Sequence, residues 1–330
     1  MQLKTLDVLA VGNAIVDIFG QCEDDFLQAN SIEKGVMTIL DAAGSARLYA
    51  ALGKIGSPQL ISGGSAANTA VGVAAFGGSA NFIGRVHDDD LGAAFRHDIK
   101  AAGVGFDQPP ASRGSPTASS IILVTPDAAR SMNTFLGASI EFEAGDLALA
   151  DAASAKIIYL EGYLFDAPNG PAIFAEAAHL AEKHDVRLAL SLSDPWCAER
   201  HRAALSSFIA DHISILFGNE EEVASLYQSS SQDAIAALAG KIDELVVTRG
   251  PAGAFIGAGA DHHEIPAMPQ GPVIDTTGAG DLFAAGYLFG RTNGFDLLQS
   301  GRLASLAAGE VISHIGARPQ TDLKQLAASF

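Results

Sequence analysis

Strand-like and helix-like segments alternate along most of the 330 residues, and no other feature restricts the fold so strongly. Residues 8–11, 81–83, 156–160, 187–190, 213–217 and 244–248 are short runs rich in Val, Ile and Leu that read as strands. Between them, residues 66–76, 90–102, 171–184, 198–206, 219–227 and 297–315 carry helical spacing. Such alternation predicts a mainly parallel sheet with helices on both faces. Ligands of such sheets gather at the carboxyl ends of the strands. With 48% hydrophobic and only 18% charged residues, the chain can bury the large core this layout needs.

Two stretches break the pattern. Residues 13–40 and 112–137 hold short β-like runs at 15–19, 35–39, 118–124 and 131–136, with Pro126-Asp127 as a hairpin turn. They predict a small β-sheet projecting as a lid from a large α/β domain made of 1–12, 41–111 and 138–330. A β extension that only pads an edge is the plainer alternative.

Composition narrows the partners. The formal net charge of −18 repels nucleic acid and anionic lipid. A phosphate-handling protein of this charge must concentrate a few basic groups, or a metal, at its site. Cys22 and Cys197 form no metal spacing, which suits a reducing cytoplasm. The first twenty residues read as a strand rather than a signal peptide. No run reaches the roughly 18 apolar residues of a membrane span.

The chemistry concentrates in Asp275-Thr276-Thr277-Gly278-Ala279-Gly280-Asp281, between a strand-like Val273-Ile274 and an apolar helical run. Small residues at a helix N-terminus leave N–H groups uncovered, which attracts phosphate. Asp281 beside that anion site is placed as a base, and the helix end should lower its pKa. An aspartate that merely favours the helix dipole is the common alternative. No GxxxxGK[ST] occurs, and no GxGxxG follows the first strand, which leaves a Rossmann dehydrogenase little support.

Weaker signals accompany it. Gly63-Gly64-Ser65-Ala66-Ala67-Asn68 is a glycine turn into a helix, with Asn68 one turn inside. Asp17 follows the first strand, where a carboxylate can accept bonds from vicinal hydroxyls. Asn219 and Glu222 open a helix, as an N-cap with acidic neighbours or as holders of magnesium waters. Thr248, Arg249 and Gly250 end a strand, either as a plain turn or against nucleotide phosphates. His262-His263 reads as an exposed pair, Cys197 as packing, and Asp194 as a cleft residue of no assigned role.

In this order the motifs resemble the ribokinase-like (phosphofructokinase-B-type) kinase family over nearly the whole chain. Residues 275–286 resemble its C-terminal signature, 63–68 its N-terminal one, and Asn219…Glu222 its magnesium-associated NxxE. The resemblance implies a ribokinase-like three-layer α/β/α fold with a small β-sheet lid. It implies Asp281 as catalytic base, with Gly278 and the amides of Ala279 and Gly280 as anion hole. Asp17, Gly63, Gly64 and Asn68 would hold the substrate, and Asn219, Thr248, Arg249 and Gly250 the ATP. Glu222 would hold Mg²⁺ through water, while Asp275 and Thr277 would bind a monovalent cation, K⁺. His87 departs from the pattern, standing where the family has glycine.

Within the family, residues 12–17, 131–138 and 159–163 are similar to the adenosine-kinase-like branch. The expected reaction is then ATP-dependent phosphorylation of a primary hydroxyl, adenosine to AMP, by a monomer or homodimer. Tyr163, Phe165 and Phe135 are candidate base platforms, though aromatics are more often core. A sugar kinase acting on ribose, fructose or 2-keto-3-deoxygluconate shares the chemistry. A catalytically idle nucleoside or sugar sensor is the reading from another class.

Overall fold

The computed structural model describes residues 4–127, 129–148 and 151–328. In chain order the strands are β1 (Leu6–Val11), β2 (Ile15–Gln21), β3 (Met37–Ile39), β4 (Gln59–Gly63), β5 (Ala80–Ile83), β6 (Ala118–Val124) and β7 (Arg130–Phe135). They continue as β8 (Ala155–Glu161), β9 (Arg187–Ser191), β10 (Ile215–Asn219), β11 (Glu244–Thr248), β12 (Ala254–Ala258) and β13 (Asp261–Ile265).

Eight of these strands form the large sheet, in the order β13-β12-β11-β10-β9-β8-β1-β5. It is parallel from β5 to β11, and β12 and β13 close one edge as antiparallel strands. Every residue of β1 is buried. Val8 and Ala10 pack into the core on one face, with the helices Ser65–Ala75, Ala279–Thr292 and Leu297–Val311, while Leu9 and Val11 join the opposite core with Gly170–His184. That double burial explains a strand with no polar alternation beyond Asp7.

The small sheet has the order β3-β7-β6-β2-β4. Its membership corrects the sequence reading, because β4 lies in the interval assigned to the large domain yet pairs antiparallel with β2. The chain therefore returns to the large sheet later than expected, past Gly63-Gly64 rather than near residue 40. One face of the small sheet is packed by Leu27, Leu48 and Leu52 from the helices Asp24–Ala29 and Ala42–Leu52. The registers put Asp17, Phe19, Ile122, Arg130, Met132 and Ile39 on the other face. Arg130 reaches from that face to Asp275, so this face is turned toward the 275–281 turn.

Two further expectations change. Val273-Ile274 is not a strand; it is irregular and exposed, held by the Ile274 N–H donating to Ile312 O at 2.8 Å. The helix read over 198–206 is two helices, Pro195–Arg200 and Arg202–His212. Both cysteines are free and buried, and no helix among the described residues is long and apolar enough to cross a membrane.

Candidate active site

Gly278 adopts φ = 79° as the N-cap of Ala279–Thr292, a left-handed conformation that glycine takes without strain. A Cβ there would also lie 2.6 Å from the Ala317 Cβ. At Gly280 a Cβ would meet nothing within 4 Å, so that turn faces open space. The Ala279 N–H donates to Thr276 O at 3.2 Å. Those of Gly280 and Asp281 lie in the first helical turn, where no intrahelical acceptor is available.

The Asp281 carboxylate is held by two donors from the neighbouring helix. Ser65 Oγ donates to one oxygen at 2.6 Å and Asn68 Nδ2 to the other at 2.9 Å. Thr69 Oγ1 adds a bond to the Asp281 carbonyl at 3.2 Å. The helices can approach so closely because Gly72 has no side chain: a Cβ there would sit 2.5 Å from that of Ala285. A lowered pKa was expected of Asp281 from its helix terminus. Burial outweighs this and pushes the carboxyl up, against the Ser65 and Asn68 bonds and the nearby Arg318 charge.

Asp17 sits across the Gly63-Gly64 turn. A Cβ on Gly63 would lie 2.3 Å from Asp17 Oδ2, and one on Gly64, at φ = 99°, only 2.1 Å from Asn13 O. Burial pushes the Asp17 carboxyl up to about 7, with Arg318 opposing and Asp281 adding to the rise. Glu161, buried at the end of β8, ties this corner together. It accepts from the Asn13 N–H at 2.7 Å, Asn13 Nδ2 at 2.8 Å and the Ala66 N–H at 2.8 Å. The side-chain oxygens of Asn13 and Asn68 are buried without a partner among the described residues. Orphaned acceptors beside a carboxylate suit a ligand that brings hydroxyl donors.

Two clefts flank the Asn68–Asp281 bond, Asp281 lining one and Asn68 the other. One, of ≈ 540 Å³, is lined by Asn219, Glu222, Thr248, Gly250, Gly280 and Asp281. The other, of ≈ 640 Å³, is lined by Asp17, Asn68 and Arg318 together with Phe19, Ile61 and Val124 of the small sheet. The structure thus gathers most of the expected residues into two hollows linked through the Asn68–Asp281 bond.

In the first cleft Asn219 and Glu222 form a reciprocal cap. The Glu222 N–H donates to Asn219 Oδ1 at 2.8 Å, and Glu222 Oε2 accepts from the Asn219 N–H at 2.9 Å. Burial pushes Glu222 up to about 7, opposed by the Asn219 N–H bond and raised further by Asp194, Glu221 and Asp281. Such an excess of negative charge fits a divalent cation held through waters. Arg249 lines the cleft, but its Nη1 donates to Glu264 Oε2 at 2.6 Å and its guanidinium lies 5.5 Å from the Phe255 ring centroid. Its Nε lies 3.8 Å from Oε1 of Glu220, which lines the same cleft, so its charge is shared between the cleft and its edge.

Asp275 is fully partnered. Its Oδ1 accepts from the Thr277 N–H at 3.1 Å and Thr277 Oγ1 at 2.7 Å. Its Oδ2 accepts from the Gly316 N–H at 2.8 Å and is ion-paired with Arg130. A monovalent cation at these oxygens would have to share them with Arg130. Of the aromatic candidates, Phe165 is core, its ring 4.1 Å from that of Phe174, and Phe135 lies on the opposite face of β7 from Met132. Tyr163 alone of the three is substantially exposed, at 36%. Asp194 caps a helix through the Cys197 N–H at 2.8 Å. His87 lines neither cleft among the described residues.

The sequence reading assigned no role to Ser65, Arg130, Glu161 or Arg318. Ser65 stood inside a quoted motif, at the first helical position. The arginines carried only the general signal that a chain of charge −18 must place a few cations deliberately.

Comparison with known proteins agrees with this geometry. The sequence profile of the pfkB family carbohydrate kinases matches residues 37–323. The ribokinase of Bacillus subtilis (strain 168) is 29% identical over 264 residues, covering 79% of this chain and 84% of its own. The crystal structure of a probable sugar kinase from Rhizobium etli CFN 42 superposes with a TM-score of 0.88 at 42% identity, covering 99% of both chains. The adenosine kinase of Sinorhizobium meliloti gives a TM-score of 0.87 at 42% identity, covering 98% of this chain and 99% of that one. With its two sheets, paired clefts and central aspartate, the chain belongs to the pfkB family of carbohydrate and nucleoside kinases, phosphotransferases with an alcohol acceptor.

Proposed function

We propose that this kinase phosphorylates the primary hydroxyl of a nucleoside at the expense of ATP, with adenosine to AMP as the favoured reaction. The observation that carries the reading is the ≈ 640 Å³ cleft, which joins a hydroxyl-binding end at Asp17 and Asn68 to apolar walls at Phe19, Ile61, Val124 and Ile315. A bare sugar would leave those walls uncovered, whereas a nucleoside presents a ribose at one end and, at the other, a flat base whose faces suit apolar walls and whose edge can meet Gln21, Gln59 or Gln320. The 42% identity to an adenosine kinase over nearly the whole chain supports the same choice.

ATP occupies the cleft with Thr248 and Gly250, its terminal phosphate on the Gly280 and Asp281 amides and the Gly278 turn. Asp281 accepts the proton of the acceptor hydroxyl as its oxygen bonds to the γ-phosphorus and the bond from that phosphorus to the β–γ bridging oxygen breaks, releasing ADP. Mg²⁺, when held at Asn219 and Glu222, supplies charge neutralisation for the phosphates. Ser65 and Asn68 aim the Asp281 carboxylate, and Asp17 accepts from the ribose hydroxyls. The small sheet acts as a lid that expels water. A monovalent cation, K⁺, at Asp275 and Thr277 competes with Arg130 for the same carboxylate.

ATP consumption measured against a panel of nucleosides and sugars tests the reading. Adenosine is expected to exceed ribose, fructose and 2-keto-3-deoxygluconate in kcat/KM. A preference for any of the sugars sinks the nucleoside assignment, and no turnover with any acceptor would leave the idle sensor standing.

A further inference from the structure

We propose that Arg318 is a positioning residue for phosphoryl transfer, fixing the turn that carries Ser65 and Asn68 and supplying the permanent cation between the acceptor-side carboxylates. The inference rests on the proposed roles of Asp281 and Asp17.

Arg318 reaches the site from the segment 312–321 that follows the last long helix. Its Nε donates to Ser62 O at 3.1 Å, Nη1 to Ala67 O at 3.3 Å and Nη2 to Ser62 Oγ at 2.9 Å, with a further Nη2 contact to Ser62 O. Ser62 and Ala67 bracket the Gly63-Gly64-Ser65 turn, so one guanidinium grips both ends of the acceptor motif. Asp98 holds Ser62 from the opposite side, its Oδ2 accepting from the Ser62 N–H at 2.7 Å and from Ser62 Oγ at 2.6 Å.

The segment carrying Arg318 is itself anchored to the anion turn. Ile312 O accepts from the Ile274 N–H at 2.8 Å, the Gly316 N–H donates to Asp275 Oδ2 at 2.8 Å, and Ala317 packs against Gly278. Arg318 therefore couples the turn that binds phosphate to the turn that aims the base. A planar fork with five donors suits this work, and a lysine cannot span the same carbonyls.

Charge is the second part. Asp98 on the helix Asp90–Ala101, Asp17 on β2 and Asp281 on Ala279–Thr292 all face the guanidinium, and Glu161 and Tyr159 on β8 face Asp281 in turn. Burial pulls Arg318 down to about 10, so it stays charged at neutral pH. Its charge lowers the pKa of both Asp17 and Asp281, and without it both would need a higher pH to ionise.

The test is the pH profile of acceptor kcat/KM in wild type, Arg318→Lys and Arg318→Gln. The lysine variant is expected to keep the acidic limb in place while losing roughly tenfold or more in kcat/KM, the cost of a misaligned base. Arg318→Gln is expected to move the limb up by about one pH unit as well. MgATP half-saturation should hold in both, because Arg318 does not line the nucleotide cleft. A limb shared by Arg318→Gln and wild type overturns the proposal, as does wild-type kcat/KM or a moved limb in Arg318→Lys. Should the glutamine variant fail to fold, the lysine variant decides alone. Asp281→Asn, run alongside, separates the two readings: if it turns over normally, the base assignment falls whatever Arg318 does.

Discussion

Asn68 Nδ2 lies 2.9 Å from Asp281 Oδ2, joining the first turns of two helices that stand 213 residues apart in sequence. The residue read as a substrate ligand is thus also a partner of the residue read as the base. An acceptor hydroxyl arriving at Asp281 must share this carboxylate with Asn68 and Ser65, which fixes the direction from which it can be deprotonated.

Asp281→Asn is expected to lower kcat by at least ~10²-fold, the scale of losing a general base. The acceptor dissociation constant should change little, since Asp17 and the two asparagines remain. Steady-state kinetics beside equilibrium binding of the acceptor checks both halves. Near-wild-type turnover would remove Asp281 from the chemistry.

The pH dependence follows from carboxyls displaced upward. Asp17, pushed up to about 7 by burial, must be ionised to accept two ribose hydroxyls, and Asp281 must be ionised to take a proton. A raised carboxyl holds its proton to higher pH, so acceptor kcat/KM should fall as the pH drops through about 7. In Asp17→Asn the remaining limb should lie lower, because Asp281 no longer titrates beside a second carboxylate. Activity that stays flat down to pH 5 would contradict the placement of both groups.

Arg130 is ion-paired with Asp275, the carboxylate proposed above to hold a monovalent cation. Arg130→Ala should therefore lower the K⁺ concentration giving half-maximal activation while reducing maximal turnover, since the variant also loses a cation beside the phosphate-binding turn. The control is the same titration with Na⁺ and with a bulky organic cation. An unchanged K⁺ dependence in the variant would mean that the two do not share the carboxylate.

Gly72→Ala is expected to destabilise the fold by about 1–3 kcal/mol, the usual cost of overpacking. The new methyl would meet the Ala285 Cβ at 2.5 Å, with the Leu282 Cδ1 at 2.8 Å. Urea midpoints give the stability change. A stability equal to wild type would show that the helices part without cost.

Much of this was legible before the structure. The β-branched runs named six strands of the large sheet, because strands buried on both faces are nearly continuous apolar segments. The 275–281 turn declared itself through small residues next to a carboxylate. Other features carried no local signal. β4 reads Gln-Leu-Ile-Ser-Gly, and nothing in five residues says which of two sheets it joins. Val273 and Ile274 have strand propensity but no strand beside them, so context overrode preference. The rise in the Asp281 pKa comes from burial by elements distant in sequence, whereas only the helix terminus was visible locally. Arg318 was one arginine in Gly-Ala-Arg-Pro, and its partners Ser62 and Ala67 lie 256 and 251 residues away.

The contact of Gly72 with Ala285 has a consequence for selectivity. It locks the two helices together one to two turns beyond Asn68 and Asp281, so that packing holds the pair as a single anvil. On the proposed function, discrimination among acceptors would then fall to the hammer, the small sheet that brings Asp17, Phe19 and Ile61 to the cleft. Evolving a new acceptor preference in this chain would accordingly rewrite β2, β3, β4, β6 and β7 and leave the helix pair untouched.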